Sequence, residues 1–299
     1  MKFRKIIFTG AISLFLLGLI FFYQNSLFSD GKLHIIFCDV GQGDGVFIKT
    51  PKGTDIVIDG GPNDSILSCL SNHMPFWDRT IELMFLTHPH LDHFLGLISV
   101  IQRYTVLQFN TEELANSTIS FKQLLEEVQR EKLSPRFIYA GDRFTTKDGV
   151  SIAVLGPSKE FIKATSPTGD IAQSGEFASL ILLVSYKGFD AILTGDSQKE
   201  GLNQVLVPHL ASQGVALRSY SIEVLQVPHH GSKTGLTSEI IDKIDPRLAV
   251  ISVGKKNKYG HPRKEILEIL KNKNIKILRT DQNGEIEIVS DGERWGVKR

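Results

Sequence analysis

An α/β fold is predicted, built from short apolar strands that stop at polar turns, with helices set between them. Three observations predict it. Strand-length apolar runs recur at Leu33–Val40, Thr54–Asp59, Ile81–Leu86, Ser179–Tyr186, Phe189–Leu193, Ile222–Val227 and Leu248–Val253, rich in the branched and aromatic residues that suit a buried strand. Longer polar stretches lie between some of them, as at Glu112–Lys132, where Leu124, Leu125 and Val128 form a helical stripe. With 41% hydrophobic residues in a chain of 299, there is enough for a sizeable core, in one large domain or two small ones.

Lys+Arg total 34 against 33 Asp+Glu, so net charge gives no argument for a polyanionic partner. Two cysteines, Cys38 and Cys69, are too few for a disulfide scaffold or a thiolate metal site. Cys38 lies in an apolar run and reads as a small core hydrophobe; a bridge to Cys69 stays open if the domain lies outside the cytoplasm.

Lys2, Arg4 and Lys5 precede Ile6–Tyr23, which carries no charge. As a helix those residues span roughly 27 Å, close to the hydrocarbon thickness of a bilayer. The basic flank favours a cytoplasmic N-terminus and an exported body. A cleavable signal segment competes with a retained anchor. Phe21, Phe22 and Tyr23 resemble an interfacial ending and no small-x-small site is clear, which favours the anchor. Residues 1–30 are therefore expected to be the anchor and 31–299 the body.

The first body strand ends at Asp39, and Gly41, Gly43 and Gly45 then allow a tight turn. This glycine loop lacks the Walker lysine pattern and a complete dinucleotide fingerprint, so a phosphate cradle is not indicated. Asp39, Gln42 and Asp44 are candidates to face a substrate or support ligands, or else are plain turn residues. The next strand ends at Asp59-Gly60-Gly61, where Asp59 is placed to orient a ligand histidine. Pro62–Arg79 is read as a loop or short helix, with His73 at the surface or satisfied. Val106–Phe109, Phe137–Phe144 and Val150–Leu155 are further strands, and Gly156–Phe177 is a long loop near the site.

The chemistry concentrates in Thr87–His93, THPHLDH, at the tip of the Ile81–Leu86 strand. His88, His90, Asp92 and His93 offer four donors within six residues. Imidazole and carboxylate suit a divalent ion such as zinc or manganese. The helix after it is expected to start at Asp92-His93. Later, a hairpin delivers Asp196 to the end of a buried strand, where a carboxylate is costly unless paired or bound to metal. Residues Gly201–Gln213 are expected to be helical, with His209 structural. Pro228–Ser232 leaves the next strand in a turn before a helix at Ser238–Ile244, a start that would suit an anion. Either His229 or His230 can point inward. Lys255–Arg279 then holds nine basic residues against Glu265 and Glu268. This is a polyanion-attracting rim or the solvated face of the helix at Arg263–Lys273.

The motifs HxHxDH, DVGQGDG (Asp39–Gly45), IDGG (Ile58–Gly61), LTGD (Leu193–Asp196), VPHHGS (Val227–Ser232) and YGHP (Tyr259–Pro262) resemble, in this order, those of the metallo-β-lactamase fold superfamily. More narrowly, the set is similar to the soluble hydrolase domain of the ComEC family of DNA-uptake competence proteins. The resemblance covers Leu33–Thr280. It implies an αββα four-layer sandwich of two mainly β layers with helices outside and the site at one edge. It further implies two divalent ions, zinc or manganese. The first would be held by His88, His90 and a bridging Asp196; the second by Asp92, His93, Asp196 and His229, with His230 the alternative to His229.

One departure stands out. Many superfamily members place another histidine between the first motif and the bridging aspartate, and this chain has none there. Glu176 could supply an oxygen ligand instead, favouring manganese, or water could fill the place. Catalytic assignments implied are Asp92, which would also orient the nucleophile, with His261 and Lys233 steadying negative charge. His230, Ser232, Lys258 and Tyr259 would contact substrate. The implied activity is a metal-dependent phosphodiesterase or nuclease acting on DNA. Alternatives are a phosphodiesterase for a small cell-envelope ester and a non-catalytic, membrane-tethered nucleic-acid binder. ComEC proteins also carry a multi-helix channel portion, and one apolar segment occurs here, so the chain is not expected to be a DNA channel itself; it would be a secreted nuclease if the N-terminal segment is cleaved, or a processing enzyme with a separate membrane partner.

Overall fold

The computed structural model describes residues 2–171, 178–205 and 222–298, with side chains described from residue 6 onward apart from 25–27. Helix α1 (Lys2–Phe28) leads into β1 (Leu33–Phe37), β2 (Val46–Lys49) and β3 (Asp55–Ile58). Then follow α2 (Ser65–His73), β4 (Thr80–Ile81), β5 (Leu83–Leu86), α3 (Leu91–Arg103), β6 (Thr105–Val106), β7 (Phe109–Thr111), α4 (Ile119–Arg130) and β8 (Arg136–Phe137). The second half holds β9 (Arg143–Thr145), β10 (Ser151–Gly156), α5 (Lys159–Thr165), β11 (Ile181–Tyr186), β12 (Phe189–Leu193), β13 (Val224–Gln226), β14 (Leu248–Ile251) and β15 (Lys276–Arg279). Helices at Lys199–Val205, Ser238–Ile244 and Lys264–Asn272 separate its later strands, and β16 (Ile286–Ser290) and β17 (Trp295–Val297) close the chain.

One sheet runs β17-β16-β1-β2-β3-β5-β7-β8 and the other β15-β14-β13-β12-β11-β10-β9, with β4 and β6 forming a small separate pair. Strand alternation explains the four layers. Ile35, Phe37, Ile48 and Ile56 face a core shared with Ile152, Val154, Leu182 and Val250 of the other sheet. Their neighbours Ile36, Phe47 and Val57 face outward, packing on Ile66, Leu70, Phe94, Leu97 and Leu124 from α2, α3 and α4. Ala153, Leu183, Ile192 and Ala249 do the same against Leu202, Ile240 and Ile266. With two faces buried on each sheet, a one-residue slip would exchange the two apolar sets, so register is held by the fit of the side chains on each face rather than by polarity. The architecture is the αββα sandwich.

Each sheet changes from antiparallel to parallel pairing partway across. Strand β3 runs parallel to β5, and β5 to β7; β12, β13 and β14 are also mutually parallel. The residues that follow these strands therefore gather at the sheets' carboxyl ends, where open α/β sheets hold ligands.

Several elements depart from the sequence reading. Ile81–Leu86 is broken at Glu82, whose carboxylate accepts the Asp55 amide at 2.8 Å; Ile81 then pairs with Val106 in the small sheet. The Val106–Phe109 run divides likewise between β6 and β7. The helix expected over Glu112–Lys132 starts only at Ile119, because the Asn116 side chain takes the Thr118 amide (2.9 Å) and Thr118 caps Phe121 N (3.3 Å). Phe137–Phe144 is not one strand but β8 and β9, in opposite sheets. The Gly156–Phe177 loop contains α5, capped by Ser158. The helix expected over Gly201–Gln213 is seen at Lys199–Val205; its remainder and His209 lie outside the described residues.

Cys38 is buried as its apolar neighbours imply, yet it is not a free thiol. It is disulfide-bonded to Cys69, joining the end of β1 to α2 with Cα atoms 5.8 Å apart. His73 is satisfied by Glu285. Helix α1 exposes its apolar side chains, and its Ile6–Gln24 window is long and apolar enough to cross a membrane, with mean hydropathy 2.4.

Candidate metal centre

The THPHLDH turn begins where β5 ends. His88 is fully buried, His90 precedes the first turn of α3, and Asp92 and His93 lie within that turn. A helix start tolerates the Asp92 carboxylate because its backbone amides carry partial positive charge. Two close approaches seat this helix. Gly96 packs on the Asp59–Gly61 turn, where a Cβ would meet Gly60 O at 2.0 Å, and Gly43 lies under Asp92, where one would meet Asp92 O at 2.2 Å.

Asp59, at the end of β3, accepts Thr87 N at 2.8 Å on Oδ1 and the Thr87 hydroxyl at 2.7 Å on Oδ2. His93 Nδ1 lies 2.8 Å from the same Oδ2, leaving its Nε2 directed 3.3 Å from Asp196 Oδ1. Because the Thr87 proton is committed to Asp59, its oxygen faces His88 Nδ1 (3.2 Å) as an acceptor. His88 Nδ1 thus carries the hydrogen, and its Nε2 presents a lone pair 3.0 Å from His90 Nδ1. Ser179 Oγ, which accepts the Asp196 amide at 3.2 Å, stands 3.4 Å from the same His88 Nδ1.

Asp196 reaches the centre because Gly195 adopts φ 48 at the end of β12, tight against Ser179 and Thr87. Its two oxygens divide the donors. Oδ2 faces His88 Nε2 (3.8 Å) and His229 Nε2 (3.7 Å); Oδ1 faces His93 Nε2 (3.3 Å) and His230 Nε2 (3.5 Å). His230 Nε2 also lies 3.4 Å from Asp92 Oδ2, while its Nδ1 donates to the Ser252 carbonyl at 3.0 Å. The two histidines diverge because both hold left-handed backbone, φ 51 and 54.

The donor set fits divalent ions. His93 Nε2, Asp196 Oδ1 and His230 Nε2 are buried, close together and without hydrogen-bond partners among the described residues, a costly arrangement that a shared cation would satisfy. Asp92, His93, Asp196 and His230 each offer one atom within 4.8 Å of the others. Separations of 3.0–3.5 Å are those adopted by donors about 2.0–2.2 Å from a common ion. The sequence preferred His229 for the set with Asp92 and His93; the structure brings His230 there and His229 to the His88 side. Asp44, Asp59 and His93 make a second close group, and Asp44 Oδ1 lies 3.5 Å from His230 Nδ1.

The electrostatics show a demand for positive charge. Burial opposes protonation of His93, but Asp196 and Asp59 override it and hold the ring well above its ordinary value. Burial likewise opposes a charge on His230, which Asp196 and Asp44 raise. Burial would raise Asp196; His230 and His93 keep it well below the usual carboxylate range. His88, pushed down by burial and then by His93, stays neutral.

At the rim, His261 stacks under Tyr259 (5.8 Å) and meets His229 edge-on (5.7 Å). Asn257 accepts the His261 amide and donates to its carbonyl, both at 2.9 Å. Burial, then His229 and His230, lowers His261 to about 4, so at neutral pH it is neutral. Tyr259, Lys258 and Lys233 are exposed and Ser232 bonds Thr234 at 3.1 Å. Gln42 braces the rim loop by accepting Gly254 N at 3.1 Å, and Asp39 is exposed, outside the ligand groups among the described residues. Glu176 lies outside the described residues. Thr87, Ser179 and Ser252 are supports that sequence reading missed. Thr87 opens the THPHLDH stretch, but nothing in sequence ties Ser179 or Ser252 to it.

The metallo-beta-lactamase superfamily model matches residues 38–255. ComE operon protein 3 of Bacillus subtilis (strain 168) is 30% identical over 298 residues, covering 93% of this chain and 35% of that protein. Recombination protein 2 of Haemophilus influenzae is 24% identical, covering 84% of this chain and 28% of that protein. The chain thus spans about a third of the length of these relatives. Among solved structures, a long-form RNase Z from yeast is similar at 12% identity and a TM-score of 0.42, over 77% of this chain and 38% of that one.

Proposed function

The chain belongs to the metallo-β-lactamase superfamily, and from that premise we propose that it is a metal-dependent phosphodiesterase that cleaves DNA. The division of donors around Asp196 carries the proposal. One oxygen faces His88 and His229, with His90 3.0 Å from His88; the other faces His93 and His230, with Asp92 3.4 Å from His230. In this reading His229 takes the ligand place that Glu176 could otherwise fill, and the two sets would hold two ions, zinc or manganese. When bound, such ions polarise an ester oxygen and acidify an attacking water.

The chain's own residues then have distinct tasks. Asp59, Thr87 and Ser179 fix the tautomers of His93 and His88, keeping Nε2 of each toward the cluster. Asp92 orients the nucleophile from the first turn of α3. His261, neutral at working pH, serves as a hydrogen-bonding contact rather than a proton donor. Lys233 and Lys258 offer exposed charge to a phosphodiester backbone.

Similarity to a relative named for recombination, together with the ComEC-like motif set, favours DNA over an envelope ester. The apolar window of α1 and the Cys38–Cys69 bridge support a single-pass anchor with an extracytoplasmic body, working beside a separate membrane partner in DNA uptake. The test is the full chain in detergent, given manganese or zinc, against single-stranded DNA, duplex DNA and bis(p-nitrophenyl) phosphate, with His88→Ala beside it. Metal-dependent cleavage of DNA, lost in His88→Ala while DNA binding persists, is expected. Cleavage of the small ester alone would point to an envelope substrate, and undiminished activity after complete chelation would overturn the mechanism.

A further inference from the structure

The connection from α2 to β4, Met74 to Arg79, carries aromatic surface that the body does not bury. Phe76 is 66% exposed, so its ring forgoes the stabilisation that burial of apolar area would give. It meets Trp77 edge-on at 4.9 Å, and Trp77 stacks on Phe21 of α1 at 4.8 Å with rings 29° apart. Phe21 belongs to the apolar Ile6–Gln24 window, three residues from its end. At 1.5 Å per residue its Cα stands about 5 Å inside that end, near the boundary between acyl chains and headgroups. A ring stacked on it shares that depth, where indole is favoured because its apolar body and its N–H are both accommodated. Two residues further on, exposed Arg79 lines a polar cleft of about 430 Å³ with Arg103, Ser65, Ser68, Ser71 and the carboxylate of Asp64. Cationic groups at this level suit lipid phosphates.

We propose that the Met74–Arg79 loop is a second membrane contact, with Phe76 and Trp77 seated at the lipid headgroup–acyl boundary of the leaflet in which α1 ends. This rests on α1 being a membrane anchor. It turns a single point of attachment into two, which sets the body's orientation. Helix α3 runs from Asp92 and His93 to Arg103, at the cleft, so it spans about 17 Å between the donor cluster and the cleft.

The chain holds two tryptophans, Trp77 and Trp295. In full-length Trp295→Phe reconstituted into phosphatidylcholine–phosphatidylglycerol vesicles, Trp77 is the sole indole. Acyl chains brominated near the headgroup are expected to quench it several-fold more than they quench Trp295 in the Trp77→Phe chain. Trp295 packs on Phe189; if Trp295→Phe does not fold, the difference between the unaltered chain and Trp77→Phe reports the same quantity. Protein that floats with the vesicles while Trp77 is unquenched would overturn this inference and leave the anchor standing. Protein that does not float would remove both.

Discussion

His93 and Asp59 form a buried pair, Nδ1 to Oδ2 at 2.8 Å, across 34 residues of sequence. The pairing determines which ring nitrogen meets the cluster, because a hydrogen held at Nδ1 leaves Nε2 to ligate. Asp59 is itself clamped by Thr87, so one carboxylate aligns both His93 and the strand tip that carries His88.

Asp59→Asn is therefore expected to keep the fold and weaken metal binding by about 10- to 100-fold. Titration against a competing chelator measures it; unchanged affinity would show that the tautomer is set by something else.

The two histidines of VPHHGS should separate by stoichiometry. His230→Ala is expected to lose the ion of the Asp92–His93 set and retain the other, whereas His229→Ala should lower affinity on the His88 side. Elemental analysis of each purified variant counts the ions retained. Identical losses in both would contradict the division at Asp196.

The Cys38–Cys69 bridge closes a separation of 31 residues. Chain-entropy reasoning assigns such a loop roughly 3–4 kcal/mol. Cys38→Ser/Cys69→Ser should unfold at correspondingly lower denaturant concentration, and mild reduction of the unaltered chain should match it.

Glu112 follows β7, fully buried and without a hydrogen-bond partner among the described residues, and burial raises its carboxyl well above the ordinary value of 4.5. The folded chain then binds more protons than the unfolded one. Its contribution is complete below about pH 4.5 and declines as pH rises through the folded-state value. Glu112→Gln should raise Tm at pH 8 by about 2–4 °C or more, equivalent to ~1 kcal/mol, and leave it unchanged at pH 4. Equal gains at both pH values would mean that ionisation is not the cause.

Gly96→Ala places a methyl 2.0 Å from the Gly60 carbonyl, a backbone atom that cannot turn aside. A loss of about 1–3 kcal/mol is expected. Because α3 must shift with Asp92 and His93 in its first turn, metal affinity should fall too. Thermal melts with and without added metal distinguish the two effects.

The strand-forming runs, the hairpin ending at Asp196 and the helix at Ser238–Ile244 were legible because apolar periodicity and turn residues act locally. Boundaries misread at Glu82 and Thr118 were decided by individual side-chain hydrogen bonds, which hydrophobic pattern does not encode. Among site residues, the clustered donors of THPHLDH announce themselves through spacing. Ser179 and Ser252 do not, since a serine beside a strand is common and only its distant partner gives it meaning.

The residues alone determined the chemical character of this protein: imidazoles and carboxylates at strand ends, an apolar lead segment, and two cysteines free to be paired or not. Three-dimensional packing decided the rest. Parallel pairing of β12, β13 and β14 brings Asp196, His230 and Ser252 to one sheet edge, and left-handed backbone at His229 and His230 turns adjacent rings to opposite oxygens of Asp196. Backbone direction at a turn, unlike composition, is set by what surrounds it, so the division of ligands exists only in the folded chain.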